Sequence, residues 1–121
     1  MSKFQFIEHN GKRIFYLDFK GVEMEKVSGI LDEAKPVVSD QPPKSVRHLT
    51  DVTGTSFSKQ IIQQFKAYAH HNEPFIYRSA AVGVSGLMVV LFNAVVKFSG
   101  RSNLVLKSSM QEALDWLAEG D

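Results

Sequence analysis

Cysteine is absent from the 121 residues. No disulfide, thiolate nucleophile, zinc–thiolate centre or iron–sulfur cluster can be built from this chain alone. An excess of either charge is also lacking. Lys and Arg number 14 against 13 Asp and Glu, a formal net charge of +1. That balance supplies no long-range attraction to nucleic acid or to an anionic membrane. The phosphate-cradling signatures G-x-G-x-x-G and G-x-x-x-x-G-K-[ST] are missing, so no nucleotide fingerprint is present. No His-x-x-x-His spacing or paired-carboxylate cluster marks a metal site, and adjacent His70 and His71 point about 100° apart on a helix. No metal and no cofactor is expected. The opening, Met1 to His9, has no apolar core segment and no small-residue cleavage site, so a cytoplasmic protein is expected.

Long hydrophobic runs are nearly absent as well. The stretch between Arg78 and Lys97 is uncharged, but Gly83, Ser85, Gly86 and Asn93 interrupt it. A buried strand followed by a buried helix explains both its length and its breakers, and stable membrane insertion is not expected. What is present is globular in kind: 44% apolar and 22% charged residues, close to the average soluble domain. The length suits a single domain over 1–121.

The periodicity predicts five strands and four helices. Lys3 to Glu8 alternates, Asn10-Gly11 is a strong two-residue hairpin signal, and Arg13 to Phe19 returns as a second strand. A helix fits Val22 to about Lys35, with Val27, Ile30, Leu31 and Ala34 on one face and Pro36 as its end or a kink. Ser45 to Val52 is a third strand, with Val46, His48 or Leu49, and Val52 as inward positions. Ser58 to His71 is a second helix with Ile61, Ile62, Phe65, Tyr68 and Ala69 as its apolar stripe. Phe75 to Val84 reads as a strand covered on both faces. A helix from Gly86 to Phe98, a short strand Leu104 to Leu106, and a last helix opened by the capping-box spacing of Ser109 and Glu112 complete the chain. The order β-β-α-β-α-β-α-β-α implies an α/β fold. Its mixed sheet is mostly parallel, with right-handed crossovers and an antiparallel N-terminal hairpin.

Four segments carry a resemblance to a known group. They are Tyr16-Leu17-Asp18-Phe19-Lys20-Gly21 after the hairpin, Val46 to Gly54, Ala80 to Leu87, and Glu112-Ala113-Leu114-Asp115-Trp116-Leu117. In order and spacing these resemble the bacterial STAS-like (SpoIIAA-like) domains, whose fold is related to the lipid-binding CRAL-TRIO domains. The resemblance covers almost the whole chain and implies a compact α/β domain. In the better-known STAS proteins, a serine in an Asp-Ser-Ser-Gly motif after the third strand is phosphorylated by a partner kinase. Here the matching segment is Asp51 to Lys59, without that run, and Ser58 and then Ser56 are the candidate phosphoacceptors.

Two loops at the carboxyl ends of strands are candidate ligand or partner sites. The first holds Asp51, Thr53, Gly54 and Thr55. Its hydroxyls could hold an anion at a helix start, or simply cap that helix. The second holds Ser85 and Gly86. It approaches the nucleophile elbow G-x-S-x-G, but Leu87 occupies the fifth position and no histidine follows His71, so helix capping is the expected role of Ser85. Arg78, Lys97 and Arg101 could ring an anionic group, or form a solvated rim.

The third helix is apolar nearly all round. Gly86, Val90, Asn93 and Lys97 form the expected solvent stripe, and Leu87, Leu91, Ala94 and Phe98 the expected core stripe. Met88, Val89, Phe92 and Val96 are then left as a candidate apolar interface for self-association or a protein partner. The leading expectation is a non-enzymatic interaction or regulatory module. The alternative, which the CRAL-TRIO relation implies, is a carrier of a lipid or small apolar ligand with a cavity near the third helix and Arg78, Lys97 or Arg101 at its mouth. An enzyme is not expected, because no nucleophile–base or acid–base pair stands at useful spacing.

Overall fold

The computed structural model describes residues 3–55, 58–99 and 102–120, with the side chains of Leu87, Leu91, Val95, Lys97, Phe98 and Ser99 excepted. Strand β1 (Phe4–His9) turns back into β2 (Lys12–Asp18). Asn10 and Gly11 between them have φ of 52° and 77°, the two positive values that a type I′ turn requires. The pairing is antiparallel, Phe4 opposite Leu17 through His9 opposite Lys12.

Helix α1 (Met24–Ser39) leads to β3 (Val46–Asp51), and α2 (Lys59–Asn72) leads through a short 3-10 turn to β4 (Ile76–Val82). Helix α3 (Leu87–Ser99), β5 (Leu104–Lys107) and α4 (Met110–Leu117) follow. The helix expected to end or kink at Pro36 runs on to Ser39. Val27, Leu31, Ala34 and Val38 form one buried stripe, so the contact made by Val38 outweighs the hydrogen bond that Pro36 cannot donate.

The sheet order is β1-β2-β3-β4-β5, with every pair after the hairpin parallel. Each crossover steps one strand in the same direction. Right-handed connections therefore deliver α1, α2 and α3 to one face. Helix α4, which follows the last strand, packs on the other. The two cores match this division. On the first face Phe15, Leu17 and Phe19 pack with Val27 and Leu31 of α1 and Ile61 and Tyr68 of α2. On the second, Ile14, Leu49, Ala80 and Val82 pack with Ala113 and Leu117 of α4. Strand alternation sorts these sets, since neighbouring residues of a strand face opposite ways.

This order never reverses, so the sheet has no topological switch point and no crevice of the doubly wound kind. The loops at its carboxyl edge are drawn together by a different device. Gly83 follows β4 with φ of +86°, and its missing side chain leaves space that Thr53 of the β3–α2 loop occupies.

Candidate functional site: an apolar cavity under the third helix

Beneath α3 lies a cavity of about 130 Å³. Its floor is the sheet face that carries His48 and Thr50 of β3, Ser79 and Ala81 of β4, and Leu104 of β5. The register places these side by side: His48 opposite Ser79, Thr50 opposite Ala81, and Ser79 opposite Leu104. One wall is α2, through Ile62, Phe65, Tyr68, Ala69 and Asn72. The roof is α3, through Met88, Phe92 and Val96. Those three are spaced by four residues, so they share one helix face.

The polar groups of the cavity are concentrated at one end. His48 and Asn72 are each 2% exposed and Tyr68 is 4% exposed. His48 Nε2 and the Tyr68 hydroxyl share a hydrogen bond of 2.6 Å, and Thr50 Oγ1 stands 3.3 Å from His48 Nδ1. Their rings also meet edge to face, 5.4 Å between centroids. Burial pushes the Tyr68 phenol well above its usual range, against a smaller lowering by the Asn72 side chain. Tyr68 is therefore a neutral hydroxyl at any ordinary pH. The Ser79 hydroxyl finds no hydrogen-bond partner among the described residues, although its backbone N–H donates to Asn103 at 2.7 Å. Lys66 is the one charged residue among the described lining, and it is exposed.

The residues expected to form the apolar interface divide. Met88, Phe92 and Val96 are half-buried and line the cavity, and Val89 is half-buried beside them. Val90 and Asn93 face solvent as expected, Val90 at 63% exposure. Ala94, expected on the core side, is exposed, so the helix is rotated from the expected setting. A helix apolar on every side carries no periodic signal that could set its rotation.

The two candidate loops adjoin through Gly83 and Thr53. Their polar groups serve the fold. Asp51 is buried, and its Oδ1 accepts from Thr53 N at 2.9 Å and Thr53 Oγ1 at 2.6 Å, while Lys20 Nζ lies 3.9 Å from Oδ2. Burial, then the charges of Asp18 and Asp51, raise the nearby Tyr16 phenol to about 12. Thr55 donates to the Phe19 carbonyl at 3.0 Å, and Gly54 turns with φ of +74°. Ser58 is the N-cap of α2, its hydroxyl accepting from Ile61 N at 3.1 Å. Ser56 lies outside the described residues. Ser58→Ala should lower unfolding stability by about 1 kcal/mol in a urea titration, the usual worth of such a cap. A change within about 0.3 kcal/mol would remove the capping role.

Ser85 does not cap α3. Gly86, with φ of 61°, stands between Ser85 and the helix, and the Ser85 hydroxyl has no partner among the described residues. Arg78 is no part of the cavity. It projects to the opposite face, where Nη1 donates to the Trp116 carbonyl at 2.6 Å and reaches Glu119 Oε1 at 3.2 Å. The Lys97 side chain and Arg101 lie outside the described residues. His9 reaches Asp115 at 2.8 Å, and that hydrogen bond, with a second from Gln111, lowers the Asp115 carboxyl. No group of three or more metal-ligating side chains occurs among the described residues, and no helix there is long and apolar enough to cross a membrane.

His48 is one of the inward positions expected of the third strand, but the sequence does not show the polar end of the cavity as a whole. The available signal was a set of polar residues, His48, Thr50 and Ser79, on one face of strands otherwise buried. It becomes legible only once the β3–β4 register is known.

No family model matches the sequence, and no curated protein does. Solved structures do match. An uncharacterized DUF3478-family protein from Shewanella loihica PV-4, described as having a SpoIIAA-like fold, superposes with a TM-score of 0.68. The match covers 95% of this chain and 92% of that one at 13% sequence identity, a level that speaks for the fold alone. With its hairpin, its three parallel additions and its helices on both faces, this chain has a SpoIIAA-like fold.

Proposed function

We propose that the protein is a non-catalytic binding module whose cavity beneath α3 takes a small apolar ligand. The observation that carries this reading is the cavity itself: about 130 Å³, roofed by Met88, Phe92 and Val96 and walled by α2. A dry apolar cavity of roughly 150 Å³ is large enough for benzene. A ligand that fills the space restores dispersion contacts that the lining otherwise lacks. Helix α3 forms the roof, so occupancy acts directly on the helix whose outer side exposes Val90. That is how the carrier and interaction readings join: the ligand sets the roof, and the roof presents the surface.

An NMR titration with benzene tests this. Saturable shifts of the Met88, Val84 and Val96 methyl groups are expected in the natural protein. Phe92→Trp, which adds bulk to the roof, should remove them while the rest of the spectrum stays folded. Absence of saturable shifts in the natural protein overturns the reading.

A further inference from the structure

We infer that the cavity selects a neutral, benzene-sized ring bearing a single hydroxyl, the class of a phenol or a small cyclic alcohol, with that hydroxyl seated on Ser79. The inference rests on the proposed binding function and adds the ligand's chemistry.

Size comes first. About 130 Å³ matches the volume of a single ring, and a long acyl chain would extend beyond it. Charge comes next. Among the described residues the cavity has no carboxylate in its lining, and Lys66 stands on the exposed side of α2. An ionised ligand would lie against a mostly apolar lining whose one described charged residue, Lys66, stays in solvent, which is disfavoured.

The polar end then decides the substituent. His48 and Tyr68 satisfy one another at 2.6 Å, and Thr50 leans on His48. Ser79 is different. It lies opposite His48 in the β3–β4 register, on the cavity floor, and its hydroxyl has no protein partner among the described residues. A hydroxyl can both donate and accept, so one ligand hydroxyl can pair with it in either sense. The apolar wall and roof receive the ring, with Phe65 and Phe92 as aromatic neighbours.

The experiment compares phenol, benzene and benzoate by NMR titration at neutral pH, in the natural protein and in Ser79→Ala. Phenol is expected to bind at least about fivefold more tightly than benzene, the worth of one net hydrogen bond. Benzoate is expected to give no saturable shift. In Ser79→Ala, phenol should weaken about tenfold while benzene stays within about twofold. Benzene binding that matches phenol, phenol binding untouched by Ser79→Ala, or benzoate binding at least as tight as phenol each overturns the ligand class and leaves the cavity's binding function standing. Absence of a saturable benzene response overturns the binding function and this inference with it.

Discussion

Gly83→Ala should lower the unfolding free energy by about 3–4 kcal/mol, the sum of a positive-φ penalty and a backbone collision. The residue has φ of +86°, which costs an L side chain about 1–2 kcal/mol by itself. An added Cβ would also meet Thr53 through its backbone N, its Cα and its Oγ1. Thr53 has little freedom to retreat. Its N–H and hydroxyl both donate to the buried Asp51 carboxylate, and Val52 N donates to the Val82 carbonyl at 3.0 Å. Gly54→Ala separates the two causes. Gly54 has φ of +74° in the neighbouring turn, but nothing lies within 4 Å of its missing Cβ. It should cost only about 1 kcal/mol. Denaturant midpoints at unchanged slope check both variants. Equal costs at the two positions would show that the Thr53 contact yields without penalty. Val52 and Val84 flank this contact and line the cavity, so the joint between the loops also holds the carboxyl-end wall of the site.

The architecture was legible where local chemistry and tertiary packing agree. Asn10-Gly11 specified the hairpin because both residues tolerate positive φ, and the structure places both there. Helix α2 was legible from Ile61, Phe65 and Tyr68, and Ser58 is its cap. Ser109 accepts from Glu112 N at 3.2 Å as the capping-box spacing implied, but the reciprocal half is altered: the Glu112 carboxylate accepts from the Ser108 hydroxyl at 2.8 Å. Two features were not legible. The end of α1 depends on Val38 meeting a core that only the folded sheet assembles. The rotation of α3 depends on neighbours, since its composition is apolar on all sides. The cavity inherits that second difficulty. Its roof is the face of α3 that sequence alone assigned to an outside partner, and its floor combines residues 48 and 79, which only the strand register brings together.

Arg47→Met, on the opposite face, should lower the unfolding free energy by about 3 kcal/mol. Arg47 is 7% exposed, yet no ion pair among the described residues includes it. Its Nη1 donates to the carbonyls of Leu117 and Glu119, each at 2.6 Å, and its guanidinium lies 4.6 Å from the Tyr77 ring centre. The Leu117 carbonyl is one that the end of α4 leaves without a helical partner, the Glu119 carbonyl lies just past the C-cap Ala118, and the cation also complements the negative end of the helix dipole. Methionine keeps much of the aliphatic stem but strands both acceptors. Arg78 does related work from the next strand, donating to the Trp116 carbonyl and stacking 4.7 Å from the Trp116 ring. It is more exposed, so Arg78→Met should cost only about 1 kcal/mol. Trp116 is the single tryptophan, and its fluorescence therefore reports whether α4 remains docked. Arg47→Met should shift that emission to the red well before the global transition in urea, because the end of α4 frays first. A coincident transition within about 1 kcal/mol of the natural protein would show that water satisfies these carbonyls as well as the arginine does. The benzene response of the α3 methyl groups should persist in Arg47→Met under native conditions. The two faces of the sheet have separate cores, and sites without shared contacts lose stability independently.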